Sequence, residues 1–216
     1  MDWRHPERAF GPGLDATILH ALWRSGTHLT GAEVHRSAGC GSPRGVRYAL
    51  ERLATQGIVS TSVVGTSNLY ELNTAHLTYP AVDAAFRALD PWQALAQRVD
   101  ALVAETLPPT VTADGTLPPQ VSVSVFGSVA RGTADEGSDV DLLVVTLDQA
   151  TDGERLADRL EVEGQRWTGQ RVQVYLTTHA QLARARDAGD PIVASFRADA
   201  RRIVGPSVDD LLRPAA

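Results

Sequence analysis

The chain has 216 residues, 43% hydrophobic and 21% charged, with a net charge of −6 at pH 7. A single cysteine, Cys40, excludes a disulfide framework, and neither an apolar run of about 18 residues nor a signal-peptide pattern occurs. A cytoplasmic protein of one large or two small domains, with no membrane partner, is therefore expected.

The first predicted helix spans residues 15–24, with apolar residues at 18, 19, 22 and 23, and ends at Ser25-Gly26. Thr30 and Glu33 have the spacing of a capping box, which starts a second helix over 31–38. After the Gly39-Cys40-Gly41 turn, Ser42 is an N-cap and Pro43 the first position of a third helix, which runs through Ala54 and stops at Gly57. Residues 58–61 and 68–72 are strand-like and joined around Val64–Ser67.

Helix, helix-turn-helix and hairpin follow one another over residues 28–77, and this stretch resembles the winged helix-turn-helix domains of bacterial MarR- and ArsR-type regulators. The resemblance implies that the helix from Pro43 enters the major groove of duplex DNA by its N-terminal residues. Arg44 and Arg47, with Ser42 and Tyr48 nearby, are then the candidate contacts, and Gly65–Asn68 is the wing tip. A homodimer is the usual form on DNA; the alternative is a domain used for protein contact or dimerisation alone. Residues 1–75 hold seven arginines against six acids, a balance that neither demands nor forbids nucleic acid.

The first domain is drawn at residues 1–78. Residues 79–118 are read as a connection: helices over 81–89 and 91–107, broken at Asp90-Pro91, and then a Pro- and Gly-rich loop over 108–120. The second domain occupies 119–216. Residues 76–216 carry thirteen arginines against twenty acids, a balance that suits collection of a divalent metal.

Residues 121–126 alternate as a strand does, and residues 142–145 form a continuous apolar run suited to a strand buried on both faces. Between them stand Gly127-Ser128, Arg131-Gly132, Ser138 and Asp139-Val140-Asp141. Side chains alternate along a strand, so Asp139 and Asp141 share a face about 7 Å apart. Two such carboxylates call for a cation, and hard oxygen ligands suit Mg²⁺ with substrate phosphates and water completing its shell. Gly127 allows close approach of backbone to phosphate, Ser128 adds a hydroxyl, and Arg131 a fixed charge. These parts outline metal-assisted phosphoryl or nucleotidyl transfer.

Gly-Ser, ten residues, then Asp-x-Asp resembles the signature of the DNA polymerase β-like nucleotidyltransferases, over roughly residues 119–205. The resemblance implies an α+β fold with a mixed sheet flanked by helices, Asp139 and Asp141 as catalytic and metal-binding groups, and Gly127, Ser128, Arg131 and Ser138 at the nucleotide. Mg²⁺ (or Mn²⁺) is the implied cofactor and a nucleoside triphosphate, ATP foremost, the implied partner. The acceptor stays open among a protein, an RNA end and a small molecule. One departure stands out. The family's third carboxylate lies on the next strand, after a helix; here the helix is 152–167, the strand 171–176, and the position holds Gln173. An amide cannot act as a general base. Glu161 or Glu163 of the helix are alternatives that the spacing does not require. Two functions follow: a nucleotidyltransferase coupled to DNA binding, or a catalytically degenerate, nucleotide-sensing transcription regulator. Tyr175 and Trp167 are expected to pack in the core, and the six histidines show no zinc-ligand spacing.

Overall fold

The computed structural model describes residues 1–107, 110–112, 115–117, 121–146 and 151–213. Two units emerge: His5–Asp90, and Met1–Arg4 together with Pro91–Ala216. The division falls at the Asp90-Pro91 break.

In the first unit the caps act where the sequence places them. A 3-10 turn (Pro6–Phe10) precedes α1 (Asp15–Ser25), a short strand β1 (Leu29–Thr30), α2 (Gly31–Ala38) and α3 (Pro43–Thr55). Glu33 accepts the Thr30 N–H at 2.8 Å while the Thr30 hydroxyl accepts the Glu33 N–H at 3.3 Å, so two donors at the start of α2 are satisfied reciprocally. The Ser42 hydroxyl accepts the Gly45 N–H at 3.1 Å at the start of α3. Strands β2 (Val59–Val64) and β3 (Ser67–Leu72) form an antiparallel hairpin, with β1 on the outer side of β3. The hairpin is longer than expected, because the ladder continues to Val64↔Ser67 across a two-residue turn. Helix α4 (Tyr79–Arg87) ends the unit. Ile18 and Leu22 of α1, Val34 of α2, and Val46 and Leu50 of α3 close the core with Tyr70 of β3.

The second unit is built on a mixed sheet of order β8-β7-β6-β9. Its elements are α5 (Pro91–Thr106), β4 (Thr110–Thr112), β5 (Gly115–Leu117), β6 (Val121–Phe126), α6 (Gly127–Arg131), β7 (Val140–Thr146), α7 (Thr151–Thr168), β8 (Val172–Thr178), α8 (His179–Asp187), α9 (Pro191–Asp199), β9 (Arg201–Val204) and α10 (Val208–Leu211). The expected loop over 108–120 needs correction, since β4 and β5 pair antiparallel from Thr110↔Leu117 to Thr112↔Gly115. The rest of that expected loop, residues 108–109, 113–114 and 118–120, lies outside the described residues.

Strands β6 and β9 run antiparallel to their neighbours, whereas β7 and β8 are parallel, joined through α7. At its two central strands, β6 and β7, the sheet is buried on both faces. Val123, Val125, Leu142 and Val144 face α5 and α7, meeting Val99, Leu102, Leu156 and Leu160; Leu143 and Val145 face the other way, onto Leu182, Val193, Phe196 and Leu212. This is why β7 reads as an unbroken apolar run. Trp3 belongs to the same core: its ring packs on Trp92 with centroids 4.9 Å apart, and its Nε1 donates to Gln170 Oε1 at 2.9 Å.

Candidate active site and candidate nucleic-acid interface

At one end of the sheet, Phe126, Asp141 and Gln173 stand in register across β6, β7 and β8. Paired residues share a face, so these three side chains lie on the face that carries Leu143 and Val145. Asp139 directly precedes β7. Its Oδ2 accepts a hydrogen bond from Gln173 Nε2 and lies 3.9 Å from Arg171 Nη1. The strand alternation therefore brings the amide to the two aspartates, at the place expected for a third carboxylate.

Burial pushes the Asp141 carboxyl above its ordinary range; the Asp139 charge adds to the rise and Arg131 opposes it. A cation between the two carboxylates would relieve both causes. Gly127 is in the left-handed region at φ +72°, and a Cβ there would stand 2.5 Å from Asp141 Oδ2. The glycine thus serves two needs, the turn from β6 into α6 and the close approach of Asp141.

The remaining predicted residues fall around this centre. Ser128 lies in α6, and its carbonyl accepts the N–H groups of Thr133 and Ala134 at 2.9 and 3.1 Å. Arg131 is ion-paired with Asp199 of α9, a carboxylate with only 14% side-chain exposure. Ser138 closes the turn before Asp139: its hydroxyl donates to Asp135 Oδ1 at 2.9 Å and accepts the Asp135 N–H at 3.0 Å. The Ser138 hydroxyl and the Gly137 N–H, both donating to it, hold the Asp135 carboxyl below its usual range. Glu161 and Glu163 are engaged elsewhere, the first accepting the Val174 N–H at 3.1 Å and the second paired with Arg166 at 3.0 Å.

Gln170 was not anticipated. It is buried, and its Nε2 donates to the carbonyls of Asp135 and Ser138 at 3.0 and 2.8 Å while its Oε1 takes the Trp3 indole N–H. It fixes the turn that delivers Asp139. No local period marks such a residue; only its tertiary partners reveal it. Tyr175 corrects the sequence reading, for it is 42% exposed and meets Phe196 edge-on at 5.4 Å. Trp167 packs against the main core as expected, with Arg98 over its ring at 5.7 Å.

In the other unit, Ser42, Arg44, Arg47 and Tyr48 gather as one exposed cluster on the first half of α3. Arg44 Nε and Nη2 donate to the Tyr48 hydroxyl at 3.1 and 2.9 Å, and the guanidinium groups of Arg44 and Arg47 lie 5.3 and 5.1 Å from its ring centre. Arg47 also lies 3.9 Å from Glu51. The hairpin tip carries exposed Val63 and Val64 and no cation.

Residues 115–194 match the family model of the nucleotidyltransferase domain, a span that contains every element of the aspartate site. Two solved structures are similar at a low level. One, a toxin–antitoxin with AMP-PNP, is 19% identical over 54% of this chain and 78% of that chain, with a TM-score of 0.35. The other, TrmBL2, is described as an archaeal chromatin protein with a novel mode of DNA binding; it is 18% identical over 85% of this chain and 71% of that chain, with a TM-score of 0.27. No curated protein matches the chain. The second unit has an α+β fold, and its residues 115–194 are similar to the nucleotidyltransferase domain. Among the described residues no helix is long and apolar enough to cross a membrane.

Proposed function

We propose that this protein transfers a nucleoside monophosphate from a nucleoside triphosphate, ATP foremost, to an acceptor hydroxyl, and that its other unit is a winged helix that holds duplex DNA, as a homodimer. The observation that carries the transferase reading is the pair Asp139 and Asp141, with Asp141 packed against the left-handed Gly127 at the start of α6. The donor set of two carboxylates beside an amide fits one hard divalent cation, Mg²⁺ or Mn²⁺, that keeps part of its water and takes phosphate oxygens. Bound there, the metal would neutralise charge on the triphosphate. Gly127 and Ser128 would cradle the phosphates, with Arg131 and Ser138 steadying helix and turn. In the transfer step the acceptor oxygen bonds the α-phosphorus, the bond to the bridging oxygen breaks, and pyrophosphate leaves with that electron pair. The hydroxyl proton passes to solvent, because Gln173 has no lone pair basic enough to hold it.

Calorimetry with ATP and Mg²⁺ tests the site. The double substitution Asp139→Ala, Asp141→Ala is expected to abolish metal-dependent nucleotide binding while leaving or raising the unfolding temperature, since it removes like-charge repulsion. Binding equal to wild type would refute the assignment.

Gln173 favours a second reading, in which the site senses a nucleotide and turnover has been lost. It places an N–H donor on Asp139 where the family resemblance calls for a carboxylate. Incubation with each labelled triphosphate separates the two: pyrophosphate release supports the transferase, binding without release supports the sensor.

A further inference from the structure

Beside Gln173, the same face of the sheet opens into a groove of about 290 Å³ lined by Tyr175, Gln181, Leu182, Ala185, Ile192 and Phe196. Tyr175 is two residues along β8 from Gln173, hence on the same side and about 7 Å away. The groove therefore begins one same-face position along β8 from Gln173. Its place relative to that site is informative. The turn at Gly127 follows β6, the aspartates sit at the start of β7, and the groove begins on β8, so the aspartates stand between turn and groove. In an in-line displacement the leaving and attacking oxygens lie on opposite sides of the phosphorus. With pyrophosphate departing toward Gly127-Ser128, the attacking hydroxyl arrives from the β8 side.

We infer that this groove seats the acceptor, and that the acceptor is a small, uncharged hydroxyl compound carrying a ring. The inference rests on the transferase reading for its geometry and on the lining for its chemistry. Among the described residues no charged side chain lines the groove, so it offers nothing to a phosphate-bearing acceptor such as an RNA end. Its volume lies at the low end of small-molecule pockets, about 300–1,000 Å³, which suits one ring rather than a nucleotide. The half-exposed Tyr175 ring, held edge-on by Phe196, presents an aromatic surface, and Gln181 supplies a polar group at the wall. Extended polypeptide is disfavoured as occupant, because Glu161 already takes the outward Val174 N–H at the free edge of β8 and Gln181 the Thr178 N–H.

Ligand-detected NMR on the full chain tests this with phenol, benzyl alcohol and cyclohexanol at millimolar concentration, against glycerol, a tyrosine-containing peptide and a short oligoribonucleotide. The ring alcohols are expected to bind and glycerol not to. Tyr175→Ala should weaken the ring alcohols about tenfold and Tyr175→Phe should retain them; Ile192→Arg, at the rim, should also weaken them. Preference for the oligoribonucleotide or the peptide over the ring alcohols would overturn the inference. So would a Tyr175→Ala loss shared equally by ATP–Mg²⁺, which would make the groove the seat of the base. If the wild type binds ring alcohols but no nucleotide, the transferase reading fails while the groove's chemistry stands. If it binds nucleotide and no ring alcohol, the inference fails and the transferase reading stands.

Discussion

Gly127 shows how one missing methyl group links conformation to chemistry. A side chain there must adopt a left-handed backbone and must also displace the Asp141 carboxylate. Gly127→Ala is expected to cost about 1–3 kcal/mol of stability from the backbone term. It should weaken metal-dependent nucleotide binding further, because the carboxylate has to turn away. Thermal unfolding and calorimetry on the same variant separate the two losses. Gln173 invites the opposite experiment. General-base assistance is commonly worth about 10²–10⁴ in rate, so Gln173→Asp should tighten Mg²⁺ and raise nucleotidyl transfer, measured as pyrophosphate release. Brisk wild-type turnover with no gain in the variant would place the base elsewhere. Both residues stood out in the sequence, Gly127 by motif and Gln173 by the resemblance that puts a third carboxylate at its position. Gln170 was not, because its role lies in partners at Trp3, Asp135 and Ser138 that no local spacing reveals.

At the scale of elements, helices announced themselves through their caps and strands through their patterns. Thr30 with Glu33 and Ser42 with Pro43 mark starts that the chain uses. The β4–β5 hairpin escaped notice because three-residue strands are too short to display a period. Helix α3 carries the test of the DNA reading. Its exposed face holds only two arginines near the N-terminus, both drawn over Tyr48, so a bound duplex must recruit them from that ring. Arg47→Ala is expected to weaken duplex binding by about 1–3 kcal/mol if Arg47 reads a base, in a mobility-shift titration against DNA from the upstream region. Affinity should also fall as salt rises, through counterion release. Binding indifferent to salt would contradict the proposed interface.

For the whole molecule, chain order and unit membership part company at the N-terminus. Trp3 precedes the first unit in sequence yet lies in the core of the second, 7% exposed. Trp3→Ala should therefore destabilise the second unit, by about 3–5 kcal/mol, the usual range for loss of a buried large aromatic. Differential scanning calorimetry checks this: the transition that ATP–Mg²⁺ raises should move, and the transition that DNA raises should stay. A sequence reading could not have assigned Trp3, because a lone tryptophan near a terminus has no period and no motif.

The seating of Trp3 in the second unit also orders events during synthesis. Trp3 is made 167 residues before Gln170, the partner of its indole N–H. At translation rates of about 5–20 residues per second, the ring waits roughly 8–30 s for its seat. Residues 5–90 can meanwhile complete a core of their own, so Trp3, made before them, settles after them. An affinity tag fused ahead of Met1 would burden that late step, and its effect would surface in the second unit rather than in the first, which it adjoins in sequence.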